Sequence, residues 1–267
     1  MARAISNKNV LTARFEVAEF DGDFLASFGK PELRGAWLIY GGSGCGKTTF
    51  VMQVCKYLTR FRRVAYNSLE QGLSLSLQKA WERVGMQEVG NKIILLNKES
   101  LKDLRARLLK KQSPDVVVID SVQYWHGFKW SDFTSLKDEF PEKLFVFVSH
   151  EKGGQPDGKM AQKIRYDSEV KIRVEGYKAF VTTRYEVAEL GEGGADFVIW
   201  EQGAQDYWVD KMYYYGRKQN NGQHPPRYIK EIPYALQCAG VIARRETCYC
   251  GELRRGKQPG YGYARPD

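Results

Sequence analysis

Gly41-Gly42-Ser43-Gly44-Cys45-Gly46-Lys47-Thr48 matches G-x-x-x-x-G-K-[ST] at every fixed position. This is the pattern of a phosphate-binding loop. Its glycines let the backbone close around an anion, and its free N–H groups point at the phosphates. In that pattern Lys47 reaches the β- and γ-phosphates, and the Thr48 hydroxyl is offered to Mg²⁺. Thr49 follows in the first helical turn. The chemistry implied is the binding of a nucleoside triphosphate together with Mg²⁺.

The flanks must position such a loop between a strand and a helix. Ala36-Trp37-Leu38-Ile39-Tyr40 is a short apolar run that predicts a buried strand. Phe50, Val51, Val54, Tyr57 and Leu58 recur at a helical period and predict a helix from Thr49 to Arg60. Further along, Arg63 to Ser68 reads as a second strand ending in Leu69-Glu70-Gln71-Gly72. A carboxylate at that position faces the γ-phosphate and can polarise an attacking water, or else it merely opens the next helix. That helix is expected to bury Leu73, Leu77, Ala80, Trp81 and Val84 and to stop at Gly85. Lys92 to Leu96 predicts a third strand, and the leucines from Leu101 to Leu109 predict an amphipathic helix.

Val116-Val117-Val118-Ile119-Asp120 is an apolar run ending in aspartate, the Walker B form. It predicts a central parallel strand buried on both faces, with Asp120 on the Mg²⁺ side. Lys143 to His150 predicts a fifth strand whose polar end can sense a γ-phosphate. His150 has no Cys or His partners at metal-ligand spacing. Glu151 to Arg165 holds Gly153, Gly154, Pro156 and Gly158 together with Lys152, Lys159, Lys163 and Arg165, and is expected to be a mobile basic loop that can follow a phosphate backbone. From 168 to 200 the texture becomes strand after strand, which argues for an antiparallel extension of the sheet.

Composition bounds the rest. The chain has 267 residues, 43% of them hydrophobic, and a net charge of +9. No apolar run spans a bilayer, and the first residues lack an export signal, so a reducing cytoplasm is the expected location. The five cysteines suggest no disulfide framework. Residues 211–267 hold eleven Lys/Arg against four Asp/Glu. That basic segment interleaves tyrosines with cations, the composition of a surface for single-stranded nucleic acid or of a solubilising tail. Cys238, Cys248 and Cys250 lack the usual zinc spacing. The division expected is an N-terminal segment, 1–34; a core, 35–202; and a Tyr-rich basic extension, 203–267.

Taken together, G-G-S-G-C-G-K-T-T, S-L-E-Q, V-V-V-I-D-S and F-V-S-H-E-K-G-G resemble the RecA/RadA/DnaB class of ATPases across roughly residues 33–200. The resemblance implies an α/β fold: a mostly parallel sheet flanked by helices, with antiparallel strands at its C-terminal edge. It implies Glu70 as catalytic base, Asp120 as the metal-side aspartate and His150 as γ-phosphate sensor. The stretches around Tyr124 to Thr134, including Lys129, and Glu151 to Arg165 resemble the two DNA-facing loops. Lys178 and, by preference, Arg184 resemble the cation that reaches a neighbouring subunit's nucleotide, although the family's K-x-R is absent. Phe15-Glu16-Val17-Ala18 has the F-x-x-A form that docks one recombinase subunit on the next. The function implied is a DNA-dependent ATPase of recombination or repair, assembled as a ring or filament on single-stranded DNA. A KaiC-like phosphotransferase and an ATP-switched assembly module are the alternatives.

Overall fold

The computed structural model describes residues 4–187 and 191–219 of the chain. Its elements, in order, are α1 (Asn7–Leu11), α2 (Gly22–Phe28), β1 (Gly35–Gly41), α3 (Lys47–Leu58), β2 (Val64–Ser68) and α4 (Leu75–Val84). After a 3₁₀ stretch come β3 (Ile93–Asn97), α5 (Leu101–Leu108) and β4 (Val116–Asp120). They are followed by α6 (Trp130–Glu139), β5 (Leu144–Lys152), β6 (Gln155–Pro156) and α7 (Lys159–Asp167). The last are β7 (Val170–Glu175), β8 (Lys178–Val187), β9 (Gly191–Gly193), β10 (Phe197–Val198) and α8 (Glu201–Gln219).

The strands form one sheet in the order β10-β8-β7-β1-β5-β4-β2-β3, with β6 paired to β5 and β9 to β8. Neighbours from β7 to β3 all run parallel. Antiparallel pairing enters only with β8, β10 and the short β6 and β9. The antiparallel edge therefore begins one strand later than the sequence texture implies, because β7 returns through α7 and joins β1 in parallel.

Alternation along β1 shows why the sheet carries helices on both faces. Trp37 and Ile39 join Phe28, Phe50, Val54 and Val146 in one buried cluster. Ala36, Leu38 and Tyr40 join Leu104, Phe133, Phe147 and Ile164 in the other. A strand buried on both sides has no polar face, which explains its continuous apolar run. Burying an aliphatic side chain at such a position contributes about 1.5–3 kcal/mol.

Three expectations change. Leu73 lies before α4 and is 71% exposed, because the helix starts after the Ser74 N-cap, whose hydroxyl accepts from Leu77 N. The segment from Glu151 to Arg165 is not a loop. Its glycines and proline build the β5–β6 hairpin, and Lys159 onward is helix α7, with Ala161 and Ile164 buried. The pattern does not fade at 203 either, since α8 runs through the expected boundary to Gln219. By internal contacts, Met1–Trp208 forms one compact unit and Val209–Asp267 a second. Cys238, Cys248, Cys250 and most of the basic extension lie outside the described residues.

Candidate functional site

The parallel strands β1, β2, β4 and β5 all end on one side of the sheet, and each end delivers one expected site residue. Gly41 closes β1. It approaches β7 so closely that a Cβ there would fall 2.4 Å from the Val174 carbonyl oxygen. Gly42, Ser43, Gly44 and Cys45 form the turn, and the Cys45 thiol donates to the Gly42 carbonyl at 3.0 Å. Gly46 caps α3 at φ +93°, and a Cβ there would fall 2.9 Å from the Tyr177 ring. Both positions require glycine, one for space and one for backbone conformation as well. Lys47, Thr48 and Thr49 form the first turn of α3, and Lys47 Nζ donates to the Gly41 carbonyl at 2.9 Å.

Asp120 ends β4 and is 6% exposed. The fully buried Tyr66 hydroxyl donates to its Oδ2. Burial pushes the Asp120 carboxyl above its ordinary range, opposed by the Tyr66 hydrogen bond and the charges of Lys47 and His150. Glu70 follows β2, and its backbone N–H donates to the Asp120 carbonyl at 3.1 Å. Its Oε2 accepts from Ser121 Oγ at 3.2 Å and lies 3.1 Å from His150 Nε2, near the end of β5. Glu70 and His150 each keep about a third of their side chain exposed, 31% and 35%. The site therefore holds a buried carboxylate beside a phosphate-type loop, and an accessible carboxylate paired with an imidazole. Such a pair can hold and release a proton at a water held next to it.

Sequence reasoning missed three residues here. In the sequence Tyr66 reads only as part of a strand. Gln123 lies just beyond β4, and its Nε2 donates to Ser149 Oγ at 2.8 Å and to the Asp157 carbonyl at 2.9 Å. Tyr177, in the β7–β8 turn, braces the loop: its N–H donates to the Cys45 carbonyl at 3.0 Å. None of the three carries a readable signal, whereas Ser121, directly after the Walker B aspartate, stands in the V-V-V-I-D-S string. A cavity of about 1100 Å³ runs along α3 from Thr49 past Gln53 and Tyr57 to Arg60, with Tyr177, Ile199 and Trp200 in its wall near Thr49 and Arg83 and Glu88 at the other end.

A family model described as "ATPase family associated with various cellular activities (AAA)" matches residues 37–140, from β1 through α6. Among solved structures, the flagellar accessory protein FlaH from Methanocaldococcus jannaschii superposes at TM-score 0.48 with 14% identity, over 69% of this chain and 100% of that one. A KaiC-like protein from Pyrococcus horikoshii OT3 superposes at TM-score 0.46 with 16% identity, over 68% of this chain and 93% of that one. No curated protein sequence matches the chain. The order β3-β2-β4-β5-β1, with the phosphate-type loop after β1 and the buried aspartate on β4, decides the fold.

This chain has a RecA-like P-loop fold.

On this RecA-like frame the other expected residues scatter. Lys129 caps α6 and Lys152 ends β5, both exposed. Lys159 and Lys163 are exposed on α7, and Lys163 lies over the Trp130 ring at 5.8 Å. Arg165 turns inward: it donates to Gln155 Oε1 at 2.6 Å and sits 5.7 Å over the Tyr40 ring, so it is not a free cation for a ligand. Arg184 is exposed but lies at the far end of the sheet. β7 pairs Gly41 with Val174 and Trp37 with Val170, and Thr183 stands opposite Val170. That offset of four strand residues is about 13 Å, so Arg184 does not reach the loop of its own subunit. Lys178, opposite Glu175, is at the loop end. Phe15 is 60% exposed beneath the Arg34 guanidinium, whereas Ala18 is buried and its N–H donates to the Pro31 carbonyl.

No described group of three or more His, Cys, Asp or Glu can hold a metal by itself. Mg²⁺ keeps its waters and is bound through one or two protein oxygens plus substrate phosphates. Thr48 and the buried Asp120 carboxylate are oxygen donors of that kind. Among the described residues, no helix is long and apolar enough to cross a membrane.

Proposed function

We propose that the chain is an Mg²⁺-dependent ATPase that hydrolyses ATP to ADP and phosphate and binds single-stranded DNA, in recombination or repair. The observation that carries this reading is the Glu70–His150 pair, 3.1 Å apart, beside the loop bearing Lys47. The loop N–H groups and Lys47 hold the β- and γ-phosphates. Thr48 and Asp120 hold Mg²⁺, which neutralises phosphate charge when bound. Glu70 orients the attacking water and takes its proton, and His150 reports on the γ-phosphate by keeping or breaking its bond to Glu70. The nucleoside extends from Thr49 into the cavity walled by Tyr177 and Trp200.

Phosphoryl transfer of this type needs a cation on the developing charge, and here it comes from a neighbour. Arg184 is the candidate. Its distance from its own loop is what a residue acting on the next subunit requires. The exposed Phe15 and the apolar residues around it form the arm that docks subunits into a ring or filament. DNA contacts fall to Lys129, Lys152, Lys159 and Lys163, with Arg165 held back by Gln155.

Steady-state ATP turnover, measured with and without single-stranded DNA at low and high salt, tests this reading. Turnover rises with DNA, and the rise weakens with salt because counterions released by the phosphate contacts gain less free energy in a saltier solution. ATP turnover indifferent to DNA at low salt contradicts the DNA part of the reading. Absence of turnover contradicts the ATPase part.

A further inference from the structure

A second, smaller cavity of about 380 Å³ lies beside Leu69, the residue before Glu70. Leu69, Lys98, Ser100, Tyr124, Trp125 and Phe128 stand in its wall. Its size falls at the low end of ordinary ligand pockets, large enough for one flat ring system. The wall is aromatic. Trp125 and Phe128 stack with centroids 4.4 Å apart and planes 19° apart. Phe128 in turn rests on Phe147 in the core, at 6.2 Å, so this stack is anchored. Trp125 is 6% exposed, and its Nε1 is a buried donor with no partner. An indole N–H in that position lacks an acceptor. At the rim, Tyr124 is 43% exposed. Charge at the rim is cationic. Lys98 lines the cavity and the exposed Lys129 follows Phe128. The one carboxylate in the wall, Glu99, is neutralised by both oxygens accepting from Arg107 Nε, at 2.9 and 3.0 Å.

We propose that this cavity takes one base splayed out of a single-stranded nucleic acid. The ring stacks on the aromatic wall, the base supplies an acceptor to Trp125 Nε1, and the cations hold the flanking phosphates. This rests on the nucleic-acid reading above and extends it. The pocket also has a route to the catalytic pair. The Tyr124 ring lies 6.1 Å from that of His150, and His150 bonds Glu70. Next to it, Gln123 ties the same turn to Ser149 on β5. A base that displaces Tyr124 thus shifts the partner of Glu70.

The test compares a single-stranded oligonucleotide with an abasic oligomer of the same length and backbone, by fluorescence anisotropy at low salt. Wild-type protein is to bind the intact strand about tenfold more tightly, the scale of one stacked base. Trp125→Phe keeps the ring but removes the donor. Tyr124→Ala changes only an exposed rim residue and does not threaten folding. Each is to narrow the gap between the two polymers while leaving abasic binding unchanged. Equal affinity of wild type for both polymers overturns the base pocket and leaves nucleic-acid binding standing. So does a gap that neither variant narrows. Failure of both polymers to bind overturns the nucleic-acid reading as well.

Discussion

Asp120 is buried, ionisable and held by one hydroxyl, that of Tyr66. Removing that donor leaves a carboxylate in the core without its partner. Tyr66→Phe is therefore expected to lower stability by about 1–3 kcal/mol in urea unfolding, more than an exposed Tyr→Phe change would. An unchanged midpoint would show that the bond contributes nothing. The contact also marks how far the sequence could be read at this scale. The placement of Lys47, Thr48, Glu70, Asp120 and His150 is legible because each stands at, or soon after, the end of an apolar run that forms a strand. Tyr66 was not. A tyrosine inside an apolar strand signals burial, and its hydroxyl meets a residue 54 positions away. Gln123 was missed for the same reason, since its partners are 26 and 34 positions distant. For Arg165 the sequence shows the charge but not the direction of the side chain, which turns to Gln155 Oε1.

Among the elements, the parallel strands and their helices were legible from periodicity, and the hairpin-and-helix unit from 151 to 167 was not. Four glycines and prolines within six residues outweighed the apolar pair at Ala161 and Ile164, too short a repeat to stand out. In the fold Gly153 and Gly154 make the turn, Pro156 lies in β6 and Gly158 caps α7, which packs Ile164 beneath the sheet with no exposed surface. Ile164→Ala is expected to cost about 2–5 kcal/mol, measured by chemical denaturation. A cost near zero would restore the mobile loop expected from composition. The placement matters for function, because a helix presents Lys159 and Lys163 on a fixed face, where a loop would have to order them on binding.

For the whole molecule, a net charge of +9 sits on a chain whose RecA-like sheet gathers a phosphate-type loop, two carboxylates and an imidazole at one edge. The charge favours a polyanionic partner, and the sheet edge favours a triphosphate. The claim on which the account rests is that Glu70 activates water there. The direct measurement is single-turnover ATP hydrolysis by wild type and Glu70→Gln, alongside ATP affinity for each. Glutamine keeps the shape and the contact with Ser121 but cannot take a proton. The account predicts ATP binding within a few-fold of wild type and hydrolysis slowed by about 10²–10⁴-fold. Hydrolysis by Glu70→Gln at the wild-type rate, with binding equally intact, would contradict it and remove Glu70 from the chemistry.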